Sequence, residues 1–459
     1  MTRNDLLVVL PGIMGSTLRR RDHLVWAPSA GSALRVIATF GRSIGELELP
    51  EDIGDGHPAD GVRPAGLMPD LHLLPGIWTP VKGYDRLLAR LRALGYREGT
   101  DDPDDSPGNL LPVGYDWRLS CRFTGRSLGP VVEPALERWR AQGGIYADAR
   151  LVFVCHSMGG LVARWYIEQC GGAGITRRLI TFGTPYRGAA RTLGQLVNGV
   201  PKGLGPLGAD LTRFARSLPS LYQLLPEYAY IEKGTDLART TEIVIPELSA
   251  HKIADAMRFH AELRAAEARR PEGLAATHAI VGTGQPTATT ARLADDHVVS
   301  IDSYCGDDLG GDSTVPLVGA CRADVPMDSN MLRRIPDKHG NLHRNRAALA
   351  ELEGILTARP VTVRDAGSVP LSVAVPELVM AGKPLPVRVT LPEDQRHTLR
   401  VVVTDEGGRL VDARLIKASR GTAAATIDKL RPGAYTIDVT GSDHPSPIIG
   451  VSSTVLVWA

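Results

Sequence analysis

The chain has 459 residues, room for two or three domains at the usual size of ~150 residues each. A composition of 43% apolar and 22% charged residues excludes a disordered or fibrous polypeptide, and 52 basic against 51 acidic residues leave no net field to draw the chain onto nucleic acid. Cysteines at positions 121, 155, 170, 305 and 321 form no close pair of the kind that builds a zinc site or disulfide framework, and no apolar run is long enough for a secretory leader or a membrane span, so a soluble protein of the cytoplasm is expected.

In chain order, Leu6 to Leu10 is an apolar run stopped by Pro11-Gly12 and reads as a buried strand. Helix-period stretches at Tyr84 to Leu94, Val131 to Arg140 and Gly160 to Gln169 alternate with apolar runs at Leu151 to Val154, Leu179 to Phe182 and His278 to Val281. Strand and helix in turn predict a parallel α/β sheet over residues 1–357. Between about 186 and 273 the rhythm lapses, and Phe214, Leu218, Leu221, Tyr222, Leu224 and Leu225 recur at helical spacing. This stretch reads as an inserted cap whose apolar stripe is either ordinary helix core or a lipid-facing surface. From about 360 to 459, short and partly alternating apolar runs between Pro, Gly and Asp turns predict an all-β, immunoglobulin-like sandwich, with Tyr435 tying a corner to nearby backbone.

Chemistry concentrates at Leu151-Val152-Phe153-Val154-Cys155-His156-Ser157-Met158-Gly159-Gly160: a buried strand, a serine between small residues, then a helix. A nucleophile elbow needs this order, because the sharp turn leaves room only for small side chains two positions before and two after the serine. Cys155 and Gly159 fill those positions, Cys155 in place of the commoner glycine. A serine needs a base to take its proton and a carboxylate to orient that base, in the order Ser, Asp, His for this fold. Asp312 in Gly310-Gly311-Asp312-Ser313 is the expected acid, ahead of Asp307 and Asp308, which lack the tight flanking turn. His339 and His343 are the two histidines that follow it, and His339, in the loop before the last α/β helix, is the expected base. The oxyanion donors are expected at the backbone N–H groups of Met158 and of Ile13, in the Gly-containing loop after the first strand. No constellation has metal-ligand spacing, and no cofactor is expected.

Several strings, including Leu10-Pro11-Gly12, Gly114-Tyr115-Asp116-Trp117-Arg118, His156-Ser157-Met158-Gly159, Phe182-Gly183-Thr184-Pro185, Leu224-Leu225-Pro226 and Asp312-Ser313-Thr314-Val315, together resemble the lecithin:cholesterol acyltransferase family of α/β-hydrolases from Leu6 to about Ala350. The family's base is followed three positions on by Leu, Ile or Met. His339 with Leu342 fits this pattern, whereas His343 meets Arg346. The resemblance implies an acyl-serine enzyme that passes a fatty acyl group from a glycerolipid ester to water or an alcohol, with transient contact at a membrane surface. Ser313 stands where the family has glycine, and Trp26 to Glu51, the lid of secreted members, lacks their cysteine pair. The triad fixes chemistry and not substrate, so an esterase on a non-lipid ester is the alternative, and a hydrolase scaffold that binds a protein partner through its β domain is another.

Overall fold

Leu6–Leu10, with no polar side chain to satisfy, forms β1, an interior strand next to one edge of a six-stranded parallel sheet. The computed structural model describes residues 4–27, 47–69, 83–99, 107–199, 205–271, 273–294, 297–329, 331–358, 369–392, 396–442 and 448–458. The other strands of the sheet are β2 (Leu110–Pro112), β3 (Leu151–His156), β4 (Thr176–Phe182), β5 (Ala276–Gly282) and β6 (Arg333–Ile335), in the order β6-β5-β4-β3-β1-β2. The helices α1 (Asp85–Ala93), α2 (Cys121–Arg140), α3 (Met158–Gln169), α4 (Arg191–Asn198), α5 (Ala250–Glu267) and α6 (Arg346–Thr357) supply the crossovers and flanking layers. Burial on both faces explains why β1 and β3 are continuous apolar runs rather than alternating ones.

The order of the strands decides where a site can form. From β1 the chain steps outward to β2, then crosses back over β1 to β3 and continues outward through β4, β5 and β6. The direction reverses between β1 and β3, and in open α/β sheets the crevice beyond the carboxyl ends of two such strands is the place for ligands. Leu10 pairs with Cys155 in the β1–β3 register. The residues that follow, Pro11-Gly12 on one strand and His156-Ser157 on the other, are therefore delivered side by side.

The predicted helices and strands of the sheet domain are present, several with longer bounds. Helix α2 begins at Cys121, ten residues before the predicted start at Val131. Ser120 caps it by accepting from the Phe123 N–H at 3.0 Å, and Pro130 and Pro134 are accommodated on its exposed face. The apolar stripe from Phe214 to Leu225 is core, its six named residues at most 2% exposed, which removes the lipid-facing alternative. The bounds expected for the cap also change. Its short strands Ile231–Lys233 and Asp236–Ala238 join a four-stranded sheet with Thr290–Ala294 and His297–Ile301, from beyond residue 273, while α5 leaves the cap to pack against α3. The tertiary pairing draws on both sides of β5, which chain order alone does not reveal. The presumed lid falls mostly within residues 28–46, outside the described residues.

Residues 369–458 form a strand-rich C-terminal region. Leu378–Met380, Val451–Trp458, Gly433–Gly441, Thr398–Asp405 and Leu410–Lys417 make one five-stranded sheet. Ser372–Ala374, Leu385–Thr390 and Thr422–Ile427 make a second, and the two share an apolar core that includes Val387, Val401, Ile437 and Val455. The Tyr435 hydroxyl donates to the Arg431 carbonyl at 2.8 Å, the corner tie expected from the sequence. Among the described residues, no helix is long and apolar enough to cross a membrane.

Candidate active site

Ser157 stands at the turn from β3 into α3 with φ 52° and ψ −126°, a left-handed conformation unfavourable for a side chain with a Cβ. Three hydrogen bonds hold it there: its N–H donates to the Phe182 carbonyl at 2.8 Å, and its carbonyl accepts from the Gly160 N–H at 3.0 Å and the Thr184 hydroxyl at 2.8 Å. The small neighbours are sterically required. A Cβ on Gly159 would lie 2.4 Å from the Pro11 carbonyl oxygen, and one on Gly12 would lie 2.9 Å from the Ser157 Cβ. The thiol of Cys155 is accommodated in full burial, and that burial pushes its pKa well up, keeping it protonated.

The Ser157 hydroxyl and His339 Nε2 are 2.9 Å apart, and His339 Nδ1 and Asp312 Oδ2 are 2.7 Å apart. All three residues are at most 1% exposed. Asp312 is fixed by its own turn, its Oδ1 accepting from the N–H groups of Thr314 at 3.0 Å and Val315 at 2.7 Å. Its carbonyl accepts from the His339 N–H at 2.7 Å, so acid and base are joined by backbone as well as side chain. Gly183 and Gly282 leave the space: a Cβ on the first would come within 3.0 Å of both the Asp312 carboxylate and the His339 ring, and on the second within 2.4 Å of the Asp312 Cβ.

The rival residues are placed elsewhere. His343 Nε2–H donates to the Gly83 carbonyl at 3.0 Å, and its ring stacks on Tyr84. Asp307 and Asp308 lie exposed, Asp308 accepting from the Gly310 N–H in its own loop. Met158 opens α3, where the first amides have no carbonyl partner within the helix, and Ile13 is buried in the loop after β1, next to Met14 with φ 61°.

One buried network was not anticipated from sequence. The Tyr84 hydroxyl accepts from the Gly12 N–H at 2.8 Å and donates to His156 Nδ1 at 2.9 Å, while His156 Nε2–H donates to the His339 carbonyl at 3.2 Å. Tyr84 thus links the loop after β1, the elbow and the base. The network needs His156 neutral, and burial holds its pKa well below 6.5, with the nearby His343 and His339 acting in the same direction. Burial likewise pushes the Tyr84 hydroxyl pKa far up, so it remains a donor. The signal in sequence is the His156-Ser157 pairing alone; nothing local marks Tyr84, 72 residues away.

A parallel sheet whose central strand turns through a strained serine into a helix, with a histidine and an aspartate in hydrogen-bond series behind that serine, is the architecture of an α/β-hydrolase. Residues 62–265, somewhat under half of the chain, match the family model of lecithin:cholesterol acyltransferase. The resemblance drawn from the motifs holds over this span, which contains Ser157 and ends before Asp312 and His339. An uncharacterised protein of Saccharomyces cerevisiae is 26% identical over 185 residues, 39% of this chain and 23% of the yeast protein, so the chain spans about a quarter of the length of that relative. Among solved structures, a Bacillus licheniformis lipase in its mature form aligns with 10% identity and a TM-score of 0.35 over 77% of this chain and 93% of the lipase. Its propeptide form aligns with the same identity and TM-score over 99% and 94% of the two chains. The CARDB domain of a Pyrococcus furiosus protein aligns with 20% of this chain and 87% of its own, at 14% identity and a TM-score of 0.16.

Proposed function

We propose that the protein is a serine esterase of glycerolipid or phospholipid acyl esters that passes the acyl group through Ser157 to water or an alcohol, with its C-terminal region an immunoglobulin-like domain. The observation that carries the reading is the unbroken series Ser157 Oγ, His339 Nε2, His339 Nδ1 and Asp312 Oδ2, with steps of 2.9 and 2.7 Å, at a strained elbow. The family match over residues 62–265 supports a lipid ester as substrate.

In the proposed reaction His339 Nε2 takes the Ser157 proton as Oγ attacks the ester carbonyl carbon. Asp312 holds Nδ1–H and stabilises the imidazolium that forms, while the N–H groups of Ile13 and Met158 receive the oxyanion. Collapse of the tetrahedral intermediate breaks the bond from carbonyl carbon to ester oxygen, and His339 returns its proton to the departing alcohol. Water or a second alcohol, deprotonated by His339, then attacks acyl-Ser157 and frees the serine.

The test is reaction of purified wild type and Ser157→Ala with a fluorophosphonate, read by intact mass, alongside hydrolysis of phospholipid and p-nitrophenyl esters. Wild type gains one phosphonyl group, and Ser157→Ala gains none and loses at least on the order of 10⁴-fold in turnover. Retained esterase activity in Ser157→Ala overturns the assignment, and a preference for short soluble esters over phospholipid overturns the substrate class.

A further inference from the structure

Among the described residues, and beside the packing of Trp458 on the α/β core, the C-terminal region makes two polar links to the α/β domain, and both end on the same turn, Gly311 to Ser313, which carries Asp312. The first runs through Gln285, a fully buried side chain in the loop after β5. Its amide Nε2–H donates to the Leu371 carbonyl at 3.0 Å and its Oε1 accepts from the Val373 N–H at 3.2 Å, so the side chain pairs with C-terminal backbone as a neighbouring strand would. Leu371 and Val373 are anchored in the C-terminal core. On its other side, the Gln285 backbone N–H donates to the Gly311 carbonyl at 3.0 Å. The Gln285 carbonyl also holds the Thr287 hydroxyl at 2.7 Å, and that hydroxyl accepts from the Ser313 N–H at 2.9 Å.

The second link is the ion pair of Arg191, on α4, with Glu377 of the C-terminal region. The same guanidinium donates to the Ser313 carbonyl at 3.2 Å, and the Glu377 carbonyl accepts from the Leu456 N–H at 2.8 Å within the C-terminal sheet. Beside these links the boundary opens into a cleft of about 1190 Å³, with Ser313, Lys338 and Asn341 on one side and Val375, Glu377 and Arg388 on the other. The turn needs external support, because Ser313 has φ 75°, a conformation that costs a non-glycine residue about 1 kcal/mol or more and persists where surrounding contacts impose it.

We propose that the C-terminal domain clamps the turn presenting Asp312, and that Gln285 and the Arg191–Glu377 pair are positioning residues acting on His339 through Asp312. This rests on the serine-esterase reading above. Slackening the clamp lets Asp312 drift from His339 Nδ1, and errors of ~1 Å in such groups cost up to about 100-fold in rate.

The experiment uses full-length Gln285→Ala, Glu377→Ala and Glu377→Gln, measuring kcat and KM on a p-nitrophenyl ester and the rate of Ser157 phosphonylation. Gln285→Ala and Glu377→Ala are expected to lower kcat on the order of 10-fold or more with KM nearly unchanged, and to slow phosphonylation by the same factor. Glu377→Gln, which still accepts from Arg191, is expected to restore most of the rate. Glu377 lies at the boundary and is part-exposed, so its variants remain informative even where loss of the buried Gln285 amide unfolds the chain. Wild-type kcat and phosphonylation in both Glu377 variants overturn the clamp while leaving the esterase reading intact, and so does a rise in rate, which would make the domain a restraint. A wild type that does not phosphonylate at Ser157 overturns both.

Discussion

Replacing Tyr84 by phenylalanine deletes one oxygen and isolates the contribution of the buried network. The aromatic ring that packs on His343, with centroids 4.7 Å apart, is retained, so the lost energy comes from the hydroxyl. That hydroxyl has one bond accepted from the Gly12 N–H at 2.8 Å and one donated to His156 Nδ1 at 2.9 Å, and Tyr84 is fully buried. Each polar group left buried without a partner costs ~1–3 kcal/mol, so Tyr84→Phe is expected to destabilise the α/β domain by about 2–4 kcal/mol. Gly12 precedes the proposed donor Ile13, and a freed loop should also slow Ser157 phosphonylation on the order of 10-fold, less than the ~10²–10³ lost when an oxyanion donor is removed outright. Urea unfolding followed by tryptophan fluorescence reads the right domain, because five of the six tryptophans precede residue 200. A destabilisation below about 0.5 kcal/mol with unchanged phosphonylation would refute the reasoning.

Stability should also fall on mild acidification. Burial holds His156 far below 6.5, lowers His260 to about 3 with help from Arg164, and lowers His278 to about 4 with help from Arg333 and Arg178, so between pH 6.5 and 5 the unfolded chain takes up three protons that the folded chain refuses. These three groups remove roughly 5 kcal/mol between pH 6.5 and 5, and His260→Gln should take away about a third of that loss in urea titrations at each pH; an unchanged pH dependence in this variant would contradict it. Arg118, with a fully buried side chain, donates to Asp116 from Nε at 2.9 Å and from Nη2 at 2.6 Å, and to Asp60 from Nη1 at 2.8 Å. Arg118→Met strands the Asp116 carboxylate and should cost about 3–5 kcal/mol by urea unfolding, with less than 1 kcal/mol counting against a structural role for the pair.

What could be read from the sequence was chemistry constrained by local sterics. The elbow was legible because Gly159 is small where the backbone of Leu10 and Pro11 leaves no space for a Cβ, and Asp312 because its turn needs the glycines before it. The order of the three residues along the chain left His339 and His343, and the resemblance, through Leu342 three positions on, favoured His339. The partners of those residues left no local trace: Tyr84 reaches His156 across 72 positions, and Gln285 reaches Leu371 across 86. The strand Leu410–Lys417 escaped notice because it is a charged sheet edge without inward alternation, most of its residues being exposed. The sequence expectation for helix α2 covered only Val131 to Arg140, whereas its buried face continues back through Leu128 and Thr124 to Cys121.

Three imidazoles crowd the interior beside Ser157, with His156 5.1 Å from His339 and 4.5 Å from His343. Such a row invites comparison with a proton wire, but the His156 ring is already committed at both nitrogens and its surroundings exclude a cation. A proton lifted from Ser157 therefore has a single berth. In the proposed reaction it waits on His339 until the departing alcohol collects it, and the crowding around that ring insulates the step from the protein interior.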